Sequence, residues 1–242
     1  MSISIVYNED CLIGMKRFCD NYFDMAICDI PYGIDVANMP YLKEINTRVR
    51  QKNGSLLNAR RNKKTYVKKD WDKSVPKQDY FDELRRISKN QIIFGVEYVD
   101  WDGLGSGRIK WNKGVADNMS FKSYELIYCS LFDNSEIEIQ LLWSGMMQAK
   151  SLKEPMTQQG NKKLNEKRIH PCQKPRLLYR KLFMDYCIEG MKILDTYVGS
   201  GSSRIEADLA NCDFVGFEIE KDYWLDQELR FMNYKKQLKL KF

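Results

Sequence analysis

Four consecutive residues invite a chemical reading: Asp29, Ile30, Pro31 and Tyr32, at the end of the apolar run "DMAICDI" (24–30). A buried strand halted by a proline can aim a carboxylate and an aromatic ring into a cleft. A second group lies far along the chain. In "MKILDTYVGSGSSRIEADLANCDFVGFEIE" (191–220) a strand ends on Asp195, a turn carries Gly199 and Gly201, a helix follows, and the next strand runs to Glu218. Glycines let a backbone approach a ligand closely, and an acid closing the second strand accepts hydrogen bonds from ribose hydroxyls. This spacing predicts a site for an adenosine-containing cofactor. No G-K-[ST] follows the glycines and position 204 is Arg, which argues against a P-loop and against the dinucleotide fingerprint.

Elements able to position these groups follow from the apolar pattern. Short apolar runs predict strands at 3–7, 24–30, 91–96, 124–132, 191–198 and 213–219. Amphipathic runs predict helices at 78–89, at 175–188 with Pro175 in the first turn, near Ser202, and from about Asp222. The alternation is that of an α/β fold, a mostly parallel sheet with helices on both faces. Two stretches break it. Residues 42–72 are basic and poorly patterned, which predicts a mobile surface loop, and 133–169 reads as a small insertion within one domain, 1–242.

Charge is concentrated in the first of these stretches. The chain carries 39 basic and 33 acidic residues, yet between Lys43 and Asp70 ten basic residues meet two acidic ones, so the remainder is slightly acidic. Such a segment suits a polyanion. The seven scattered cysteines form no C-x-x-C, and the single histidine, His170, adjoins only Cys172, so neither a metal site nor a disulfide framework is expected. The opening "MSISIVYNED" has no basic start and apolar core, and no apolar run nears the roughly 20 residues of a membrane span. A cytoplasmic protein is expected.

"DIPY" after a strand, "HPCQKP" (170–175) before a helix, "DTYVGSGSS" (195–203) and "VGFEIEKDYW" (215–224) together resemble the β-class DNA amino-methyltransferases, whose motifs read D-P-P-Y, H-P-T-Q-K-P, D-P-F-x-G-S-G-T and I-G-x-E. "NQIIFGVEY" (90–98) and "IKWNKGVADNMSFKSYELIYCS" (109–130) are similar to that family's intervening blocks. The resemblance runs through nearly the whole chain, with the catalytic motif before the cofactor motif, and implies a Rossmann-like methyltransferase fold in permuted order.

What it implies about the site can be set out by residue. The cofactor would be S-adenosyl-L-methionine, with Asp195, Gly199, Ser200, Gly201 and Ser202 around its methionine part and Glu218 on its ribose. Gln173 and Lys174 belong to the block that closes the pocket, and Asp29 stands where the two ligands meet. The Asp29 carboxylate and the Ile30 carbonyl would accept the hydrogens of a base amine, Pro31 would fix the turn, and Tyr32 would supply a ring for a flipped base. Stacking asks for the ring alone, so Tyr32→Phe is expected to be tolerated. The partner implied is double-stranded DNA in a bacterial or phage-encoded setting, with a homodimer and a companion endonuclease left open. Arg48, Arg50, Lys52, Arg60, Arg61, Lys63 and Lys64 would meet its phosphates, and 133–169 would be the target-recognition segment. Adenine N6 is favoured over cytosine N4 because Asp heads the motif. A non-catalytic DNA-binding copy and an RNA methyltransferase are the alternatives.

Overall fold

The computed structural model describes residues 2–35, 48–50, 56–58, 70–115, 122–144, 147–158 and 160–239. Its elements in chain order are β1 (Ser4–Tyr7), α1 (Cys11–Met15), β2 (Met25–Asp29), β3 (Arg48–Arg50), β4 (Leu56–Asn58), α2 (Gln78–Ile87), β5 (Gln91–Phe94), β6 (Arg108–Asn112), β7 (Tyr124–Cys129), β8 (Glu136–Gln140), β9 (Trp143–Ser144), β10 (Met147–Gln148), α3 (Arg176–Tyr186), β11 (Lys192–Asp195), α4 (Ser202–Leu209), β12 (Asp213–Phe217) and α5 (Lys221–Lys239). Every strand and helix expected from the pattern is present, with the strands one to three residues shorter at their ends.

Eight strands form the main sheet in the order β1-β12-β11-β2-β5-β7-β6-β8. All run in one direction except β7, which is antiparallel to both of its neighbours. The apolar runs are continuous because both faces are covered. Along β2, Met25 and Ile27 enter one core with Leu178 and Leu182 of α3, while Ala26 and Cys28 enter the other with Met15 of α1 and Phe81 and Leu84 of α2. Residue Asp29 therefore inherits a fixed direction from a strand whose preceding four residues are fully buried.

Chain order reverses between β11 and β2. The β11–α4–β12 unit steps toward one edge of the sheet, and the β2–α2–β5 unit toward the other. At such a switch point the two loops leaving the strand ends splay apart and leave a crevice. Asp29 ends β2 and Asp195 ends β11, on adjacent strands paired through Ile193–Met25 and Leu194–Ala26. Two segments 166 residues apart in sequence thus share one mouth.

Three elements are not read from the pattern. Residues 136–140, expected inside the insertion, extend the main sheet as β8, parallel to β6. Only Ile139 of this strand is buried, so as a solvated edge it carries too little apolar signal to read. The 133–169 stretch therefore leaves the sheet only after Gln140, and β9 and β10 pair as a short hairpin beyond it. Within the basic stretch, β3 and β4 pair antiparallel through Arg48–Asn58, Val49–Leu57 and Arg50–Leu56. Of the seven cysteines, Cys11, Cys28, Cys129 and Cys212 are buried and Cys19 is exposed, all as free thiols. No helix among the described residues is long and apolar enough to cross a membrane.

Candidate active site

A cavity of about 250 Å³ opens at the switch point. Asp29, Ile30, Pro31 and Tyr32 form one wall, Val198, Gly199, Ser200 and Ser202 another, and Glu218 with Ile219 a third. The block before α3 closes it with His170, Cys172, Gln173 and Lys174, and Trp71, Asp72 and residues 74–76 complete it. Asp195 and Gly201 stand behind the wall. The Asp195 side chain turns inward, where Oδ1 accepts the Tyr197 N–H (3.0 Å) and Oδ2 accepts the Ser203 hydroxyl. It thereby shapes the glycine turn from beneath, and burial pushes its carboxyl up to about 7. Gly199 and Gly201 both adopt left-handed backbone (φ 50° and 70°), which turns the chain sharply from β11 into α4.

Glu218 is positioned by the same turn. Its Oε2 accepts the Gly199 N–H and its Oε1 the Glu220 N–H, both at 2.9 Å. Burial pushes its carboxyl up to about 7, and among the described residues no cation pairs with it. Each oxygen keeps a second lone pair, so this buried acid at the cavity wall can accept two more donors.

The Asp29 wall is held from two sides. Asp72 Oδ1 accepts the backbone N–H groups of Tyr32 (2.8 Å) and Gly33 (3.0 Å), and the Asp72 carbonyl accepts the Asp35 N–H (2.9 Å). The turn is thus clamped by the residue that ends the basic stretch. Beside Asp72, Trp71 lies 4.9 Å from the His170 ring, and His170 lies 4.4 Å from Tyr223. Across the cavity, Lys174 Nζ donates to Asp29 Oδ1 (2.8 Å), Asp29 Oδ2 (3.0 Å) and the Tyr32 hydroxyl (2.9 Å). The Tyr32 hydroxyl itself donates to Asp29 Oδ1 at 3.1 Å. Burial pushes the Asp29 carboxyl upward, with the Lys174 ammonium pulling against it. The Tyr32 ring stacks on Tyr98 (4.7 Å, 13°) and lies so close to Gly95 (φ 78°) that a Cβ there would meet it.

Sequence-identified residues divide accordingly. Asp29, Ile30, Pro31, Tyr32, Gly199, Ser200, Ser202, Glu218, Gln173 and Lys174 converge on the cavity. Lys174 lines the cavity and bonds the Asp29 carboxylate. Gln173 ties its own loop together, accepting the Ile169 N–H and donating to Glu166. Ser202 joins the two halves by donating to the Lys174 carbonyl at 3.1 Å. Helices α3 and α4 are locked by Arg176 and Arg180 on the buried Glu206, which fixes the 170–175 block against the glycine turn. Arg48 and Arg50 lie in the first strand of the small hairpin, and Lys52, Arg60, Arg61, Lys63 and Lys64 lie outside the described residues. Residues missed in the sequence are Asp72, Trp71, Gly95 and Glu125. None has a spacing signature, because each reaches the site by tertiary packing alone.

Comparison with known proteins agrees with this geometry. Residues 40–226 match the family described as DNA methylase, of the N6/N4 type, a span that includes the 170–175 block, the glycine turn and Glu218. A stretch of 54 residues is 39% identical to the type II methyltransferase M2.DpnII of Streptococcus pneumoniae, covering 22% of this chain and 20% of that protein. The type II methyltransferase M.HpaI of Haemophilus parainfluenzae is 37% identical over 54 residues, 22% of this chain and 17% of that one. The match therefore spans about a fifth of the length of these curated relatives. Among solved structures, the M1.HpyAVI–SAM complex aligns with a TM-score of 0.54 at 16% identity, over 95% of this chain and 100% of that one. The PvuII DNA methyltransferase (cytosine-N4-specific) aligns at 0.51 and 11%, over 95% and 87%. At these identities the shared property is the Rossmann-like methyltransferase fold.

Proposed function

Because this chain belongs to the N6/N4 DNA methylase family, we propose that it transfers a methyl group from S-adenosyl-L-methionine to the exocyclic N6 amine of an adenine flipped out of double-stranded DNA. The observation that carries the reading is the meeting of the Asp29–Tyr32 turn and the Gly199–Glu218 wall on one cavity. A buried carboxylate with two free lone pairs and no cation beside it among the described residues, as at Glu218, suits a ribose diol. Gly199, Ser200 and Ser202 line the adjoining wall, where the amino-acid part of the cofactor would lie. When bound, the cofactor supplies an electrophilic methyl group on a positively charged sulfur.

The chain's own residues prepare the acceptor. A base amine is a poor nucleophile because its lone pair is delocalised into the ring. Asp29 and the Ile30 carbonyl accept its two hydrogens, draw the nitrogen toward tetrahedral geometry and stabilise the positive charge that develops there. The base stacks on the side of Tyr32 turned away from Tyr98, and it must leave the duplex because its amine is otherwise paired. The basic stretch, including Arg48, Arg50, Lys52, Arg60, Arg61, Lys63 and Lys64, contacts phosphates, each releasing about one counterion. The segment beyond Gln140 reads the target sequence. A bacterial or phage-infected cytoplasm and a restriction–modification pairing fit the named relatives, which are bacterial type II enzymes. Adenine is favoured because the acceptor at position 29 is a carboxylate, as in the D-P-P-Y form of the motif.

The test is incubation of the protein and of Asp29→Ala with S-adenosyl-L-methionine and unmethylated genomic DNA, followed by digestion and nucleoside mass spectrometry. N6-methyladenine from the wild type alone is expected. N4-methylcytosine would keep the chemistry and correct the base. Neither product, with cofactor binding shown by calorimetry, would overturn the reading in favour of a non-catalytic DNA-binding copy or an RNA methyltransferase.

A further inference from the structure

The Lys174 ammonium poses a problem for the catalytic turn. It has three N–H groups, and they go to Asp29 Oδ1, Asp29 Oδ2 and the Tyr32 hydroxyl. With the Tyr32 hydroxyl also on Oδ1, one lone pair of Asp29 remains, and its charge is matched by an ammonium 6% exposed. A carboxylate so occupied is a weak acceptor for a base amine.

A second carboxylate lies on the far side of the same ammonium. Glu125, on β7, places Oε2 3.4 Å from Lys174 Nζ, and its Oε1 accepts Lys113 Nζ at 2.6 Å. Burial works to raise its carboxyl, but the ammoniums of Lys174 and Lys113 outweigh that and hold it below its ordinary value, fully charged. The other titratable groups facing the cluster, the Tyr32 and Tyr179 hydroxyls and the Cys172 thiol, are all pushed up by burial and stay neutral. The charges form a row, Lys113–Glu125–Lys174–Asp29, that alternates in sign and sums to zero. Shortening the 3.4 Å separation to the about 2.8 Å usual for charge-assisted bonds needs only a small shift.

Resting on the methyl-transfer reading above, we propose that Glu125 is a positioning residue for that reaction: it takes one N–H of Lys174 from Asp29 Oδ2 when the base amine arrives, so that the amine meets a carboxylate with an open oxygen. Glu125 touches neither the base nor the cofactor; it acts through Lys174, although its Oε2 also lies 3.4 Å from the Tyr32 hydroxyl. Lys113 keeps it charged.

Single-turnover methyl transfer should be measured for wild type, Glu125→Gln, Lys174→Met and the double variant, with melting temperatures and cofactor and DNA affinities. Glu125→Gln is expected to slow transfer about 30-fold with both affinities within twofold, and Glu125→Asp to recover most of the rate. In the Lys174→Met background, Glu125→Gln should change the rate less than twofold. A full 30-fold effect without Lys174, or a wild-type rate in Glu125→Gln, would overturn the proposal. A wild type that methylates no DNA would instead indict the methyl-transfer reading. The coupling is then read directly from a carbon-13 titration of the Asp29 carboxyl: Glu125→Gln should lower its midpoint further when Lys174 is present than in Lys174→Met, and an equal shift in both backgrounds would refute it.

Discussion

Gly95 to alanine tests whether the placement of the Tyr32 ring, rather than its mere presence, sets the rate. Gly95 follows β5 with φ 78°, a left-handed conformation that costs an L-residue roughly 1–2 kcal/mol. A Cβ there would lie 2.5 Å from Cδ1 and 2.9 Å from Cζ of Tyr32, and closer still to Cε1. Ordinary carbon contacts begin near 3.5 Å, so the ring must retreat by about 1 Å. Retreat spoils the Tyr32–Tyr98 stack, whose geometry (4.7 Å, 13°) is of the kind worth about 0.5–1.5 kcal/mol. The two effects together predict a stability loss of about 2–3 kcal/mol, which a domain with the usual margin of roughly 5–15 kcal/mol survives folded. Displacing a positioning group by about 1 Å predicts a fall in methyl-transfer rate on the order of 100-fold. Urea unfolding gives the first quantity, single-turnover transfer the second, and cofactor affinity, which should hold, is read by calorimetry. A Gly95→Ala protein that loses the expected stability yet transfers methyl within threefold of wild type would refute the idea that ring position governs the chemistry.

Three further expectations follow from the same geometry. Tyr32→Phe, harmless if only stacking counts, removes a hydroxyl that bonds both Asp29 and Lys174, so transfer should slow about tenfold while the melting temperature stays near wild type. Asp72→Ala leaves the Tyr32 and Gly33 amides without their carboxylate, a loss of about 1–3 kcal/mol visible in urea, whereas Asp72→Asn keeps an acceptor oxygen and should behave nearly as wild type. Glu218, raised to about 7 from an ordinary glutamate value near 4.3, is partly protonated at neutral pH. The folded state then binds more protons than the unfolded one between those values, so this group's contribution favours the fold at the acid end of the window and is lost as pH rises through about 7. Ribose hydroxyls prefer the ionised form, so cofactor affinity should weaken as pH falls below 7 and proton release should accompany binding. Glu218→Gln should abolish both pH effects in calorimetry.

Much of this site is legible in the chain because it sits where strands end. Asp29 and Glu218 each close or follow an apolar run, and Gly199 and Gly201 mark the turn between strand and helix. Those signals are local, so periodicity and turn chemistry are enough to find them. Asp72 and Glu125 carry no such mark. Asp72 sits at the end of a charge-rich stretch where one more acid looks solvated, yet it is 2% exposed. Glu125 lies on β7, where the interior position it occupies is legible but its cationic neighbours, arriving from residues 113 and 174, are not. Lys174 illustrates the same limit. Its position before α3 is plain, but its length lets it reach across the cavity to Asp29, and nothing in the spacing says which partner it would choose.

Departures from the family's motif spelling mark where hydrogen bonds have taken over from proline. Position 30 is Ile where the family reads Pro, and positions 196 and 197 are Thr and Tyr where it reads Pro-Phe. Each lost proline frees backbone conformations in the unfolded chain, at a cost of roughly 0.4–1 kcal/mol to the folded turn. At the first turn, Asp72 accepts two amides with a charged oxygen, each bond of a type worth about 1.5–3 kcal/mol. Ile30 itself, 2% exposed, enters the core beside Cys28. At the second, the Thr196 hydroxyl meets the buried Tyr80 hydroxyl at 2.6 Å, and the Tyr197 ring lies 5.6 Å from the same tyrosine. Both replacements draw on residues 72 and 80, which lie on the one stretch of chain between the basic segment and β5. Stiffness that proline would have built into each turn separately is here supplied by Asp72 at the first turn and Tyr80 at the second.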